Sequence, residues 1–202
     1  MICAGCAAWM RPITDKQAQT IACADCGHVT GYRFTPLFIV TGPSGAGKTT
    51  IVPHLQALLP DWDVFETDIL GDSGGDWTMI KHNWLRIAAF LARAGRPSVL
   101  CGTMQPDQLA GCVDYDLFSA VHWLALSCDP AVLAERLAAR PDWRGCDAAF
   151  IREHQAYLGW FHKHAATAFD PPLTLLDTTA AAAEETARQI RAWIGDRWPA
   201  AA

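Results

Sequence analysis

The sequence of 202 residues has no apolar run that approaches the roughly 20 residues needed to cross a bilayer. It also has no excess of basic residues, because 16 Lys and Arg stand against 21 Asp and Glu. The first absence predicts no membrane span, and the second excludes a global positive field that would draw the chain onto nucleic acid or anionic lipid. The N-terminus lacks the layout of a signal peptide, so we expect a cytoplasmic protein.

Eight cysteines are many for this length, and four of them form two C-x2-C pairs. Cys3 and Cys6 make the first pair, and Cys23 and Cys26 follow after 16 intervening residues. This is the spacing of a four-cysteine zinc site, in which each pair provides two thiolates. Because four thiolates close the coordination sphere, we expect a structural Zn²⁺ that supplies folding energy to a zinc ribbon over residues 1–34.

Short ribbon strands are expected over 20–22 and 29–34, on either side of the second cysteine pair. His28 is a weaker candidate for a zinc ligand and is expected at the surface. The alternative is a set of reduced, unrelated thiols. The other cysteines are scattered and are expected to be small core residues: Cys101, Cys112, Cys128 and Cys146.

Residues 42–49 read Gly-Pro-Ser-Gly-Ala-Gly-Lys-Thr and match G-x-x-x-x-G-K-[ST] without a mismatch. The glycines let backbone N–H groups face phosphates, Lys48 reaches the outer phosphates, and Thr49 offers a hydroxyl to Mg²⁺. A predicted strand precedes the motif and a predicted helix follows it, as this mechanism requires. The motif predicts a nucleotide site formed by Gly42, Pro43, Ser44, Gly45, Ala46, Gly47, Lys48, Thr49 and Thr50.

Apolar runs alternate with helical patterns downstream, which predicts an α/β fold with a parallel sheet flanked by helices. Five strands are predicted, over 37–41, 62–67, 97–103, 121–127 and 173–177. Helices are predicted over 48–59, 78–94, 130–139, 147–167 and 180–195. We therefore expect a main domain over residues 35–202, with its ligands at the carboxyl ends of the strands.

The second of these strands is followed by Asp68, which is our candidate for a catalytic carboxylate. A carboxylate at this strand end can accept the proton of an acceptor hydroxyl or hold a water on Mg²⁺. The alternative is that Asp68 caps the following segment. Glu66 is expected to point the other way along the strand and is a reserve candidate.

The third strand ends at Cys101-Gly102-Thr103, where many phosphate-loop enzymes carry an aspartate for the metal. Metal binding is therefore expected to depend on Thr49, the nucleotide oxygens and Asp68. Gly102 is expected to leave room for a substrate near the backbone. Gln105 in the next loop is expected either to line the acceptor pocket or to be exposed to solvent.

Arg136 and Arg140 follow the fourth strand and are one helical turn apart. Both can project from one face toward transferring phosphates and compensate the charge that develops there. A solvated helix face is the alternative. Trp143, next to these arginines, is expected to pack or to contact substrate, whereas His154, His162 and His164 are not spaced to share a metal.

Taken together, residues 36–196 resemble the P-loop kinases of nucleosides, nucleotides and small molecules, such as adenylate, gluconate and shikimate kinases and chloramphenicol phosphotransferase. The resemblance rests on the GPSGAGKTT loop, the acidic residue after the second strand, and Cys-Asp-Pro followed by Leu-x-x-Arg-Leu-x-x-Arg. It implies the P-loop NTPase fold and transfer of a phosphate from ATP to a small molecule. It further implies that Lys48 stabilises the transferring phosphate, that Asp68 is the acceptor-side base, and that Arg136 and Arg140 are lid arginines.

A second class of function is an ATP-binding or ATPase module whose ribbon docks a protein or nucleic-acid partner, or forms a homodimer. Trp9, Tyr32 and Phe34 could stack on bases. However, the ribbon has only three basic residues against two acidic ones, which argues against strong nucleic-acid binding. A GTPase is disfavoured because an N-K-x-D guanine reader is missing. The favoured acceptor is a hydroxyl on a nucleoside-like or antibiotic-like small molecule.

Overall fold

A computed structural model describes residues 1–71 and 76–198, and its centre is a five-stranded parallel sheet. The last residues of the predicted main domain, 199–202, lie outside the described residues. The strands are β4 (Leu37–Thr41), β5 (Asp63–Glu66), β6 (Ser98–Cys101), β7 (Val121–Ser127) and β8 (Thr174–Asp177). Their order is β5-β6-β4-β7-β8, so the strand that leads into the phosphate-loop motif is central. This confirms the predicted α/β class and all five predicted strands to within two residues at each end.

Five helices connect and cover these strands in the described part of the chain. They are α1 (Lys48–Leu58), α2 (Trp77–Arg93), α3 (Pro130–Ala138), α4 (Ala148–His164) and α5 (Ala183–Arg197). Aspartates begin three of them, because a carboxylate before the first turn accepts N–H groups that have no partner within the helix. Asp76 accepts from Thr78 and Met79, and Asp129 and Asp147 do the same for α3 and α4.

The sheet is buried on both faces, and alternate residues of β4 enter two different cores. Leu37 and Ile39 face α2, whereas Phe38 and Val40 face α1 and α5. A central strand of a parallel sheet is covered on both sides, which explains why β4 is a continuous apolar run. The carboxyl edge of the sheet is left for the connecting loops, where the predicted site residues lie.

The first 34 residues, called the ribbon below, form a separate antiparallel sheet of β1 (Pro12–Asp15), β2 (Thr20–Cys23) and β3 (Val29–Gly31). Two of these strands were expected from the sequence, although β3 ends earlier than 34, and β1 was not. The buried ribbon side chains belong to the same core as α2, and the Tyr32 hydroxyl donates to the Ala89 carbonyl of α2 at 3.2 Å. The ribbon is therefore supported by α2 as well as by its cysteines.

None of the helices in the described ranges is both long enough and apolar enough to cross a membrane.

Candidate active site

The loop between β4 and α1 wraps into the shape that its glycines permit. Gly42 has φ +136°, and a Cβ there would lie 2.6 Å from the Leu126 carbonyl oxygen of β7. Any other residue would therefore have to displace the backbone of the neighbouring strand. This close approach fixes where the loop leaves the sheet.

Lys48, the first residue of α1, folds back over the loop. Its ammonium donates to the carbonyl oxygens of Gly42 and Pro43, each at 2.8 Å. Burial lowers the pKa of Lys48 to about 8, with the Asp68 carboxylate opposing this shift and Arg140 adding to it. The ammonium is thus already desolvated at the mouth of the loop, where phosphate oxygens can take the place of the two carbonyls.

A cavity of about 610 Å³ opens over this loop and brings most of the predicted residues together. Its lining includes the loop and helix-start residues Ser44, Gly45, Ala46, Gly47, Lys48, Thr49 and Thr50, together with Asp68, Arg136 and Arg140. Gly42 and Pro43 lie beneath this lining as the carbonyl acceptors of Lys48. Glu66, which the sequence offered only as a reserve candidate, and Thr178 also line the cavity. Sequence analysis missed the cavity residues Arg144, Phe150, Ala181, Ala183 and Thr186.

Two carboxylates, not one, face the cavity at the end of β5. Glu66 accepts a hydrogen bond from the Thr49 hydroxyl at 3.1 Å, and Asp68 lines the same space. The expectation that Glu66 points the other way was wrong, because Glu66, the last residue of β5, lines the same cavity as Asp68. Alternation along a strand would itself place residues 66 and 68 on the same side, because side chains two residues apart share a face.

The end of β6 is closed to a substrate by Thr67. A Cβ on Gly102 would lie 1.6 Å from the Thr67 hydroxyl oxygen, so the space next to this glycine is already occupied by that side chain. This overturns the expectation that Gly102 leaves room for a substrate. Cys101 is fully buried, and burial raises the pKa of its thiol to about 12, so it stays neutral in the core.

The two predicted lid arginines occupy different parts of the cavity. Arg136 donates to the carbonyls of Thr178 and Thr179 at 2.7 and 3.3 Å and reaches the Gly45 carbonyl at 3.5 Å. Arg140 lies beyond α3, which ends at Ala138, and its charge acts on Lys48. Arg136 thus links the loop after β8 to the phosphate loop, whereas Arg140 acts on the Lys48 ammonium through its charge.

A short 3₁₀ turn, Asp142–Arg144, follows these arginines. Arg144 lines the cavity and stacks on Trp143, with its guanidinium carbon 4.8 Å from the ring centroid. Trp143 is 77% exposed. It is therefore available to a ligand rather than used in packing.

Polar groups from α2 and from the loop after β6 meet beside Asp68. The buried ammonium of Lys81 donates to the Gln108 side chain at 2.7 Å. Burial lowers the pKa of Lys81, and the nearby carboxylates of Asp107 and Asp68 oppose this. Gln105 caps the 3₁₀ turn Pro106–Leu109 together with Gln108, so its side chain serves that loop.

The three histidines of α4 are kept apart, as their spacing predicts. His162 is 2.7 Å from the Ser127 hydroxyl, and His164 packs against Trp160. His154 is different, because its Nδ1 accepts the backbone N–H of Ser44 in the phosphate loop at 3.3 Å. The sequence gives no signal for this contact, which joins residues 110 positions apart.

The four ribbon cysteines converge with their sulfur atoms within 4.8 Å of one another. Cys3 and Cys26 are 3.6 Å apart, and Cys6 and Cys23 are 4.0 Å apart. Sulfurs around a tetrahedral Zn²⁺ with bonds of about 2.3 Å are separated by about 3.8 Å, so the cluster fits this ion. His28 is not part of the cluster.

Two of the three aromatic residues suggested as base-stacking groups are unavailable. Tyr32 and Phe34 are buried and pack edge-on against each other with centroids 4.8 Å apart. Trp9 is partly exposed, but Arg86 of α2 covers its ring at 5.1 Å. The ribbon therefore presents no stacking platform of the kind that binds single-stranded nucleic acid.

The remaining cysteines follow expectation with one exception. Cys101, Cys112 and Cys128 are buried core residues, whereas Cys146 is only half-buried after the 3₁₀ turn.

The fold matches those of solved P-loop kinases at low sequence identity. A sugar kinase from a Janibacter species is 22% identical, with 83% of this chain and 98% of that chain covered and a TM-score of 0.55. A gluconokinase from Sinorhizobium meliloti is 16% identical, covering 82% and 94% with a TM-score of 0.55. Shikimate kinase from Acinetobacter baumannii, in complex with shikimate, is 15% identical, covering 82% and 95% with a TM-score of 0.52.

No protein-family model and no curated protein sequence matches the chain. The structural comparisons therefore establish that the main unit has the fold of the P-loop small-molecule kinases, as the sequence resemblance predicted.

Proposed function

We propose that this protein is an ATP-dependent phosphotransferase that moves the γ-phosphate of ATP to a hydroxyl, or to a phosphate, of a small molecule. The observation that carries the proposal is the single cavity in which Lys48, Thr49, two carboxylates and three arginines meet. Hydrolysis alone would not need an acceptor-side carboxylate next to a desolvated ammonium. The likeness of the fold to gluconokinase and shikimate kinase supports a small acceptor.

In this proposal the loop residues 42–50 hold the phosphates through their backbone N–H groups and the positive end of α1. Lys48 leaves the carbonyls of Gly42 and Pro43 and donates to the transferring phosphate. Thr178 donates a hydrogen bond to the Ala46 carbonyl and Arg136 donates one to the Gly45 carbonyl, and these contacts fix the conformation of the loop. The neighbouring residues Ala181, Ala183 and Thr186 provide the wall on which the nucleotide extends.

Asp68 is the proposed general base. The acceptor hydroxyl oxygen bonds to the γ-phosphorus, the bond from that phosphorus to the β-phosphate oxygen breaks, and the hydroxyl proton passes to an Asp68 carboxylate oxygen. Asp68 is exposed and unobstructed in the cavity, so an acceptor can reach it. Arg140 and Arg144 line the same space and compensate the negative charge that develops during transfer.

Thr49 and Glu66 are the proposed Mg²⁺-binding pair. A hydroxyl and a carboxylate 3.1 Å apart are oxygen donors of the kind that Mg²⁺ uses, and they replace the carboxylate that β6 lacks. When bound, Mg²⁺ neutralises charge on the nucleotide phosphates. The four cysteines would hold a structural Zn²⁺, because their closed sulfur set leaves no position for a substrate.

The decisive experiment measures ATP consumption by the purified, zinc-replete protein against nucleosides, nucleotides, sugars, hydroxy acids, and aminocyclitol and phenolic antibiotics. Lys48→Ala is the blank. A compound that stimulates turnover well above water hydrolysis, and that gains a phosphate by mass spectrometry, establishes the kinase and its acceptor class. If no compound stimulates ATP consumption but the protein still binds ATP, the result would favour instead an ATP-binding module whose ribbon contacts a protein partner.

A further inference from the structure

Side chains from several distant elements fix the phosphate loop, and almost all of them act on its carbonyl oxygens. The donors are Lys48 to Gly42 and Pro43, Thr103 to Gly42, Arg136 to Gly45, and Thr178 to Ala46. Within residues 1–71 and 76–198, one loop N–H group is held by a side-chain acceptor. Ser44 donates to Nδ1 of His154 at 3.3 Å.

An imidazole nitrogen that accepts a hydrogen bond carries no proton, so this contact requires a neutral His154 with its proton on Nε2. The ring is half-buried and lies edge-on to Phe150 with centroids 4.2 Å apart. Phe150 itself lines the nucleotide cavity. His154 is thereby oriented by its own helix toward the loop.

The surroundings of His154 favour the neutral form that the contact needs. Burial lowers its pKa, and the cations Lys48 of α1 and Arg140 after α3 lower it further, whereas Glu153 on its own helix opposes them. The other side chains that pin the loop are lysine, arginine or hydroxyl groups, which do not change charge near pH 6. His154 is the one pinning group whose proton uptake would reverse its role.

We propose that His154 is a positioning residue for the nucleotide: its neutral imidazole holds the Ser44 amide, and protonation releases the loop from α4. Once protonated, Nδ1 is a donor facing the Ser44 donor, so the hydrogen bond is lost and a third cation joins Lys48 and Arg140. This inference rests on the proposed nucleotide binding, but it requires no knowledge of the acceptor.

The test measures the Kd of ADP for the full-length, zinc-replete chain by isothermal titration calorimetry between pH 5.5 and 8. His154→Asn places an amide oxygen where Nδ1 lies and cannot titrate, whereas His154→Leu removes the acceptor. His164→Asn, on the same helix but away from the loop, is the matched control. Thermal melting and zinc content are recorded for every variant.

At pH 7.5, His154→Leu is expected to bind ADP roughly threefold to tenfold more weakly, the loss that follows from one hydrogen bond. The Kd of ADP for His154→Asn and for His164→Asn should stay within roughly twofold of the wild-type value at this pH. On acidification the ratio of the wild-type Kd to the His154→Asn Kd should rise toward the same factor, and the rise is expected at the acid end of the range because burial and the neighbouring cations lower the pKa of His154. Titration of ADP and of the ribbon thiols is common to both proteins and cancels in this ratio.

A ratio that does not change with pH overturns the inference, as does unaltered ADP binding by a folded His154→Leu. An equal effect from His164→Asn overturns it as well, because the contact to Ser44 would then be irrelevant. If His154→Leu does not fold, the comparison between wild type and His154→Asn still decides. A folded wild-type protein that binds no ADP at any pH would instead defeat the proposed function itself.

Discussion

The ribbon and the cavity over the phosphate loop are stabilised in different ways. The ribbon strands hold three or four residues each, and their conformation depends on four sulfur atoms brought together by two short motifs and on packing against α2. The cavity depends on one short motif whose backbone is pinned by side chains from α3, α4 and the strand-end loops. The ribbon therefore depends on two short motifs and one helix, whereas the candidate active site depends on contacts from many distant elements.

This difference predicts that substitutions in the two regions will have different effects, one on activity and the other on stability. Changes in the cavity should remove activity with little loss of folding. Changes in the ribbon should lower the unfolding temperature and leave the affinity for nucleotide nearly unchanged.

The largest expected effect is that of Lys48→Ala, which removes the desolvated ammonium at the mouth of the loop. ATP turnover should fall by roughly a thousandfold, the scale of a lost electrostatic group at a transferring phosphate. The rate is measured with the best acceptor from the panel. The control is Lys163→Ala, which changes an exposed lysine on α4. A similar loss of turnover in this variant would contradict the role proposed for Lys48.

Asp68→Asn should cut phosphate transfer by roughly 10²- to 10⁴-fold while the Kd of ADP stays nearly unchanged, because a base acts on the acceptor proton only. Single-turnover kinetics and calorimetry measure the two quantities. Glu66→Gln is the matched comparison and should instead raise the Mg²⁺ concentration needed for half-maximal rate. Parallel loss of ADP binding in Asp68→Asn would make Asp68 a metal or structural residue.

Alkaline pH should weaken nucleotide binding through Lys48. Its pKa lies at about 8, below its ordinary value, so the ammonium is charged at pH 7 and loses its proton as pH rises above 8. Because phosphate binds the charged form, the Kd of ADP should rise by up to about tenfold per pH unit above 8. The Kd of ADP for Lys48→Met should show no such rise with pH. A wild-type Kd that does not change from pH 8 to 9.5 would contradict the role proposed for Lys48.

Cys6→Ser should lower the melting temperature by roughly 5–15 °C, because loss of a structural Zn²⁺ ligand costs several kcal/mol and each kcal/mol shifts a chain of this size by about 2–4 °C. The Kd of ADP should change little, since the ribbon contributes no residue to the cavity. Zinc content and calorimetry are measured together. Cys146→Ser, a half-buried cysteine outside the cluster, is the control and should melt as the wild type does.

Tyr32→Phe is expected to give the smallest effect and tests the contact between the ribbon and α2. It removes the hydrogen bond to the Ala89 carbonyl while the ring stays in place. The stability loss should be about 1 kcal/mol, or roughly 2–4 °C in melting temperature. A shift as large as that of Cys6→Ser would mean that α2, rather than the cysteine cluster, dominates the stability of the ribbon.

Sequence patterns determined the elements of this protein because each depends on nearby residues. The apolar run before the phosphate loop is β4, an aspartate marks the start of three of the helices, and each C-x2-C pair brings its own two sulfurs together within a few residues. Within the phosphate-loop motif, one contact is likewise local, because the Lys48 ammonium donates to the carbonyls of Gly42 and Pro43.

Tertiary structure alone decided which distant groups share the cavity. The contact of Glu66 with Thr49 depends on how β5 lies beside α1, the space next to Gly102 is taken by Thr67, and the contact of His154 with Ser44 spans 110 residues. Such contacts follow from the packing of whole elements at the carboxyl edge of the sheet, whereas periodicity and spacing report only what lies within a few residues along the chain.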